Sequence, residues 1–187
     1  ATGETIKAGT IINASGTRAS KTAELAGFDA LPVEPRLRYT YIIEAADPFD
    51  QDLPLTIDPT GIHYRTYGSH YMVGSPPEDD YPRAHDDFVM DHGYWENHVW
   101  PILATRIPAF ERVKLINVWP GHYSYNTLDQ NAIVGLHPDC DNFIFVNGFS
   151  GHGLQQSPAM GRGVAELILH GKYESLDLSP LGVERII

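Results

Sequence analysis

The 187-residue chain contains a single cysteine, Cys140, so it can form no internal disulfide and no zinc site that needs several cysteines. It has no apolar run near the roughly 18 residues that a membrane-spanning helix needs. Basic residues are few, because 13 Lys and Arg stand against 24 Asp and Glu, giving 13 − 24 = −11 with neutral histidines. Such an acidic surface repels phosphate backbones and anionic lipids. We therefore expect no nucleic-acid partner and no membrane span.

The first residues combine neither a basic flank nor an apolar stretch, so no targeting peptide is predicted. A lone thiol is typical of a reducing compartment, and we expect a cytoplasmic location. Aromatic residues make up 11% and hydrophobic residues 42% of the chain, which favours a packed core over disorder. The length suits one large domain or one and a half small ones.

The chain begins with the pattern of a βαβ unit. An apolar strand within residues 9–16 ends in a small-residue turn, and residues 17–27 read as a helix with Ser20 as its cap and Gly27 as its end. Such a strand needs a parallel partner. Only eight residues precede it, so we expect the sequence to start inside a domain whose earlier part is missing.

The middle of the chain reads as a largely antiparallel sheet. After an irregular exit at 28–36, β-branched and aromatic runs separated by turn residues predict strands at 39–45, 53–57, 62–66, 70–74, 113–119 and 132–135. The acidic, proline-rich residues 75–87 predict a solvated loop. Apolar residues at helical spacing between Phe88 and Leu103 predict one helix, disturbed at Pro101.

A glycine-rich turn, residues 148–153, lies between a strand at 143–146 and a helix that Gly171 ends. Glycines allow positive φ and a close approach of ligand to backbone, and the free N–H groups of a helix start point outward. Such a turn suits phosphate, a carboxylate or the negative charge of a reduced ring system. The spacing G-x-x-G-x-G is not the dinucleotide fingerprint, and a plain structural turn is an equal alternative.

Several separated motifs point to one family. They are residues 11–16 (Ile-Ile-Asn-Ala-Ser-Gly), 103–111 (Leu-Ala-Thr-Arg-Ile-Pro-Ala-Phe-Glu), 119–135, the glycine turn and 160–168. In this order they resemble the FAD-dependent oxidoreductases related to D-amino-acid oxidase, sarcosine oxidase and dimethylglycine dehydrogenase. The chain is most similar to the FAD-dependent oxidoreductase domain-containing proteins, whose mitochondrial members assist respiratory complex I assembly. The resemblance covers nearly the whole chain, more loosely at 39–87.

The resemblance implies an α+β fold, in which a sheet-rich substrate domain joins the C-terminal strand-turn-helix parts of an FAD-binding α/β domain whose N-terminal dinucleotide-binding unit is missing. Residues 1–31 and 126–187 would belong to the FAD domain and 32–125 to the substrate domain. The implied reaction oxidises a C–N bond of a small amine or amino acid by hydride transfer to flavin N5, and the helix N-terminus would stabilise the resulting negative charge. The electron acceptor is open. A eukaryotic source would imply a mitochondrial location.

The resemblance also implies site residues. The cofactor-binding candidates lie in two turns, namely Ala14, Ser15, Gly16, Gly148, Phe149, Ser150, Gly151, His152, Gly153, Leu154 and Gln155. The catalytic candidates are His63, Tyr64, Arg65, His122 and Tyr123. Strand alternation puts His63 and Arg65 on one face and Tyr64 on the other. For each candidate, packing or a solvated position is the alternative.

Three departures from the family matter. The G-x-G-x-x-G that binds the pyrophosphate is absent. Gln155 stands where relatives often place a basic side chain that binds the substrate carboxylate. No cysteine lies within 119–123, so FAD is expected to be non-covalent. FAD binding would need the N-terminal half of the same protein, and the 187 residues alone would be inactive.

Two other function classes remain open. The competing class is a non-catalytic, flavoprotein-like scaffold or assembly partner. A metal hydrolase is remote, because the histidine clusters lack a recognised zinc spacing.

Overall fold

The computed structural model describes residues 3–186 and divides into two units. The terminal unit combines the chain up to Pro35 with the chain from Tyr123 onward, and the sheet unit is Arg36–His122. The strands are β1 (Ile11–Asn13), β2 (Val33–Ala45), β3 (Thr56–Ile57), β4 (His63–Tyr67), β5 (His70–Ser75), β6 (Val113–Asn126), β7 (Ile133–His137) and β8 (Cys140–Asn147). The α-helices are α1 (Ala19–Leu25), α2 (Trp100–Arg106) and α3 (Gly153–His170). A π-helical turn spans Trp95–Val99, and 3₁₀ turns span Gly16–Arg18, Pro108–Phe110, Ser179–Leu181 and Val183–Arg185.

The terminal unit contains a three-stranded sheet in the order β1-β8-β7. Strand β1 runs parallel to β8, with Ile12 opposite Ile144, and β8 runs antiparallel to β7. The parallel partner that the first strand requires is therefore β8, far along the chain. Helix α1 packs Ala19 and Ala23 in the core on one side of this sheet, and α3 packs Met160 and Val164 in the core on the other. Burial on both faces explains why β7 and residues 143–146 of β8 are almost continuously apolar.

The sheet unit is built on a five-stranded sheet in the order β3-β4-β5-β2-β6. The pairs β3–β4, β4–β5 and β5–β2 are antiparallel, which confirms the predicted character of the middle of the chain. Alternate residues of β2, including Tyr41 and Ile43, are buried against a core that contains Val99, Leu103 and Phe110. The opposite face carries Thr40 and, in the same cross-strand row, Gly74 and His63.

Two helices begin at other residues than the sequence predicts. Helix α1 starts at Ala19 after a 3₁₀ turn, and Ser20 does not cap it, because the Ser20 hydroxyl donates to the Leu31 carbonyl. The helix predicted from Phe88 begins only at Trp95, as a π turn that continues into α2. Pro101 has no N–H to donate to the fourth residue before it, which accounts for the wider turn at this point.

Several strand limits also differ from those predicted. Strand β2 begins at Val33 rather than at Tyr39, with Pro35 ahead of the ladder to β5, where its missing N–H costs no bond of that ladder. Strand β6 extends to Asn126 through Pro120, which an edge strand tolerates. Strand β3 is reduced to Thr56–Ile57, because Pro54 interrupts the run from Leu53.

Helix α3 starts at Gly153, directly after the glycine turn, and ends at Gly171, whose φ of 70° is left-handed as predicted. Pro158 lies inside its second turn and cannot donate to the carbonyl of Leu154. The Ser157 hydroxyl donates to that carbonyl instead, at 3.0 Å. The helix therefore accommodates the proline without leaving a free acceptor.

Candidate functional site

Two turns of the terminal unit follow the carboxyl ends of the neighbouring parallel strands β1 and β8. Ligand crevices of α/β sheets form at such strand ends. Each strand ends in a buried asparagine, Asn13 in β1 and Asn147 in β8. The Asn147 side-chain amide donates to the Asn13 carbonyl at 2.8 Å, so a buried hydrogen bond links the two strand ends.

The first turn contains the candidates Ala14, Ser15 and Gly16. The Asn13 side-chain oxygen accepts hydrogen bonds from the Ser15 hydroxyl, at 2.7 Å, and from the Ser15 amide, at 3.3 Å. The Ser15 and Thr22 hydroxyls share a further bond of 2.8 Å. Gly16 has a φ of 59° and open space where a side chain would stand. This turn is held by its own polar groups and leaves open space at the half-buried glycine.

The second turn is held to β6 by Ser150, a non-glycine residue with a φ of 49°. Its buried hydroxyl accepts from the Asn126 amide at 2.9 Å, and its own amide donates to the Ser124 carbonyl at 2.8 Å. Both polar groups of Ser150 are therefore used within the chain. Ser150 therefore holds the turn in place against β6.

The backbone amides around the start of α3 are the open part of this turn. Within residues 3–186, no acceptor is found for the amides of Gly151, Gly153, Leu154 and Gln155. The Leu154 side chain is 88% exposed, Gly151 and Gln155 are exposed too, and Gly153 is half-buried beside Phe149. Unpaired N–H groups at the positive end of an 18-residue helix attract negative charge.

Tyr123 belongs to the same unit as the glycine turn. A Cβ on Gly151 would lie 3.9 Å from the Tyr123 ring, so the ring borders the turn. The Tyr123 and Tyr125 ring centroids are 6.0 Å apart, with an edge-on geometry. Of the five catalytic candidates, the structure brings Tyr123 alone next to the cofactor-binding candidates within one unit.

The other four catalytic candidates lie in the sheet unit. His63 and Arg65 are half-buried and share the face of β4 that is opposite to the core. Tyr64 points the other way and packs edge-on to Phe110, with ring centroids 6.2 Å apart. Arg65 donates to the Thr66 carbonyl at 3.3 Å, and its guanidinium lies 5.6 Å from the Tyr67 ring.

His122 is engaged with the acidic loop. Its Nε2 donates to the Asp87 carbonyl at 2.6 Å, and its ring stacks on Phe88 with centroids 4.3 Å apart. The Val89 amide and the Arg83 guanidinium hold the pKa of the Asp87 carboxyl below its usual value. His122 therefore fixes the end of the 75–87 loop to β6.

Neither a metal cluster nor a membrane-spanning helix occurs in the part of the chain that the structure describes. Residues 3–186 contain no group of three or more His, Cys, Asp or Glu side chains arranged to hold a metal ion. No helix in the same range is long and apolar enough to cross a bilayer.

The comparison with known families identifies the family of the chain. Residues 1–167 match the DAO family, described as FAD dependent oxidoreductase. The chain belongs to this family. It is 42% identical over 194 residues to FAD-dependent oxidoreductase domain-containing protein 1 of Xenopus laevis, an alignment that covers 97% of the chain and 39% of that relative. The DAO-family chain thus spans about two-fifths of the length of the curated relatives it matches.

Solved structures agree on the fold. The chain superposes on glycine oxidase from Geobacillus kaustophilus with a TM-score of 0.83 at 23% identity, over 100% of this chain and 48% of that one. It superposes on L-proline dehydrogenase from P. horikoshii with a TM-score of 0.81 at 24% identity, over 95% of this chain and 46% of that one. The mixed α/β, sheet-rich fold of DAO-family enzymes is therefore confirmed.

The residues of the terminal unit fit the FAD of this family. The open amides at α3 suit an electron-rich carbonyl or anion, and the glycines leave room for a flat ring system at the backbone. Cys140 begins β8, at the opposite end of the strand from the glycine turn. Sequence reasoning missed Asn13, Asn126 and Asn147, although a polar residue ending each of two apolar strands was a usable signal.

Proposed function

We propose that the protein oxidises a C–N bond of a small amine or amino acid with non-covalent FAD as the hydride acceptor. The terminal unit would be part of the FAD-binding domain, and the sheet unit would be the substrate domain. Membership of the DAO family and neighbours named as amino-acid oxidases and dehydrogenases support this reaction class.

The observation that carries the proposal is the set of open amides at the start of α3. Gly151, Gly153, Leu154 and Gln155 present N–H groups without an acceptor in residues 3–186, at the carboxyl end of a parallel strand pair. Donors that are fixed before the reaction stabilise developing negative charge without reorganising. The Ser150 and Asn147 hydrogen bonds would keep these donors in place.

Bound FAD would supply the redox chemistry, and the chain's residues would bind and polarise its ring and orient the substrate. In the terminal unit, the two turns would bind the cofactor, with Ala14, Ser15 and Gly16 on one side and Gly148–Gln155 on the other. Tyr123 would line the site next to Gly151. In the sheet unit, His63 and Arg65 would face the substrate, whereas the packing of Tyr64 and the loop contact of His122 favour supporting roles.

Anaerobic flavin reduction tests the proposal. The test uses protein that includes the N-terminal half that FAD binding is expected to need. This FAD-loaded protein would be mixed with a panel of small primary amines, secondary amines and amino acids, and flavin absorbance would be followed. We expect at least one of them to bleach the flavin. If none does so while the flavin stays reducible by dithionite, the non-catalytic scaffold replaces the enzyme as the better interpretation.

A further inference from the structure

His63 lies on β4, and one nitrogen of its imidazole is hydrogen-bonded while the other has no partner within residues 3–186. The ring Nδ1 lies 3.3 Å from the Gly61 carbonyl oxygen. A carbonyl oxygen can only accept, so Nδ1 must carry the hydrogen of this bond. The neutral ring is then held as the Nδ1–H tautomer, and Nε2 keeps a lone pair.

The neighbouring strand makes room for this ring. Gly74 of β5 pairs with both His63 and Thr40, so the three residues form one row across the sheet. A Cβ on Gly74 would overlap with the His63 ring, which shows that the imidazole lies flat over the glycine. No partner is found for Nε2 within residues 3–186, so the lone pair remains available on this half-buried face.

None of the described charged groups around His63 forms a hydrogen bond with its Nε2. The charged or titratable side chains on the same face are Arg65 and Tyr67 of β4, His70 of β5, and Arg36, Arg38 and Glu44 of β2. Arg38 binds the Asp80 carboxylate through two bonds of 2.9 and 2.8 Å. On β3, the residue opposite His63 is Ile57. No described carboxylate bonds to the imidazole.

We propose that His63 is the base that accepts the proton of the substrate's ammonium group. Amines are protonated near neutral pH, and a protonated nitrogen has no lone pair to support hydride loss from the adjacent carbon. The N–H bond breaks, its electron pair stays on the substrate nitrogen, and the proton forms a new bond to Nε2. The substrate becomes a neutral amine and His63 an imidazolium. The hydride loss that follows belongs to the proposed function, on which this inference rests.

The kinetic test compares FAD-loaded variants of the protein that includes the N-terminal half. Anaerobic flavin reduction is measured with an amine that reduces the wild type, from about pH 6 to about pH 9. His63→Gln keeps a polar side chain that cannot take the proton. We expect the rate of flavin reduction to fall by roughly 100-fold or more and to lose the part of its pH dependence that the imidazole contributes. Gly74→Ala keeps the imidazole but displaces it, and we expect a similar loss. His70→Gln, which removes a histidine from the adjacent strand, should behave as the wild type. A His63→Gln rate within about threefold of the wild type would overturn the inference.

A spectroscopic test needs no turnover. In protein labelled with ¹⁵N in histidine, the signals that His63→Gln removes should show neutral His63 with hydrogen on Nδ1 and none on Nε2. Hydrogen on Nε2 would overturn the inference. If no amine reduces the wild-type flavin, the proposed function fails, but the tautomer measurement still decides the state of His63.

Discussion

Tyr41 of the sheet unit has a buried hydroxyl without a hydrogen-bond partner in residues 3–186. Its side chain is fully buried in the core. Burial raises the pKa of this phenol well above its usual value. Tyr39, two residues earlier on the same face, uses its hydroxyl to accept from the Asp91 amide at 3.2 Å.

Replacing Tyr41 with phenylalanine should therefore stabilise the protein. An unsatisfied buried hydroxyl costs about 1–3 kcal/mol, so we expect Tyr41→Phe to raise the free energy of unfolding by about 1 kcal/mol. Tyr39→Phe, the matched control, removes a hydrogen bond that is made and should lower the same quantity by about 1 kcal/mol. Urea unfolding of both variants measures the difference, and equal effects of the two changes would argue against an orphaned hydroxyl.

At the scale of elements, two glycines with positive φ differ in their surroundings: Gly148 begins the glycine turn before α3, and Gly171 ends the helix. Gly148 has a φ of 69°, and a Cβ there would lie 3.2 Å from both Asn126 and Val33. Gly171 has a φ of 70° with nothing within 4 Å of a Cβ. An added side chain would therefore cause similar backbone strain at Gly148 and Gly171, but it would be crowded by neighbouring atoms at Gly148 alone of the two.

Alanine at these two positions separates strain from crowding. We expect Gly171→Ala to cost about 1 kcal/mol of unfolding free energy from the left-handed backbone alone. Gly148→Ala should cost about 1–3 kcal/mol more, because the turn must shift away from β6. Chemical denaturation gives both values, and weaker FAD retention should accompany only the change at Gly148. Equal losses for the two variants would contradict the packing seen at Gly148.

The Glu166 carboxylate of α3 accepts hydrogen bonds from the segment that follows the helix. The Ser175 hydroxyl and the amides of Glu174 and Ser175 donate to this carboxylate and lower its pKa from 4.5 to about 2. A carboxyl whose pKa is lower in the folded protein stabilises the fold above its unfolded pKa, and that contribution disappears as the pH falls through the folded pKa.

The acid stability of the protein should therefore depend on Glu166. We expect Glu166→Gln to be less stable than the wild type above about pH 5, with the difference shrinking as the pH falls from 4.5 to about 2. Glu174→Gln is the control, since within residues 3–186 the ion pairs of that carboxylate are with the exposed His170 and Lys172 side chains. Unfolding free energies measured across this pH range test the prediction, and a difference that does not change with pH would refute it.

Local patterns predicted most elements but few of their limits. The glycine turn and Gly171 were predictable, because glycine in these positions has a local cause. The start of β2 and the length of β6 could not be predicted. Whether Pro35 or Pro120 ends a strand depends on which neighbouring strand would need the missing N–H. The hydrogen bond from Ser157 that keeps Pro158 inside α3 is likewise invisible to periodicity.

For the whole molecule, the family and fold followed from motifs, whereas the site's supporting contacts did not. The open amides of Gly151, Gly153, Leu154 and Gln155 lie at the turn and helix start where the sequence led us to expect free N–H groups. The bond from Asn147 to Asn13 joins residues 134 positions apart, so it exists only once β1 and β8 pair. The use of both polar groups of Ser150 by β6 depends on the same folded context.

Cofactor retention is the property that depends on the molecule as a whole. Under the proposed function the open amides would contact one part of FAD, but the 187 residues contain no G-x-G-x-x-G for its pyrophosphate, where most of its charge lies. We expect the chain alone, loaded with excess FAD and then dialysed, to lose its flavin absorbance. The full-length Xenopus laevis relative, more than twice as long, should keep its flavin under the same treatment. A flavin spectrum that survives dialysis of the 187 residues would mean that the two turns bind FAD without a separate pyrophosphate loop, and that the terminal unit is a complete cofactor site.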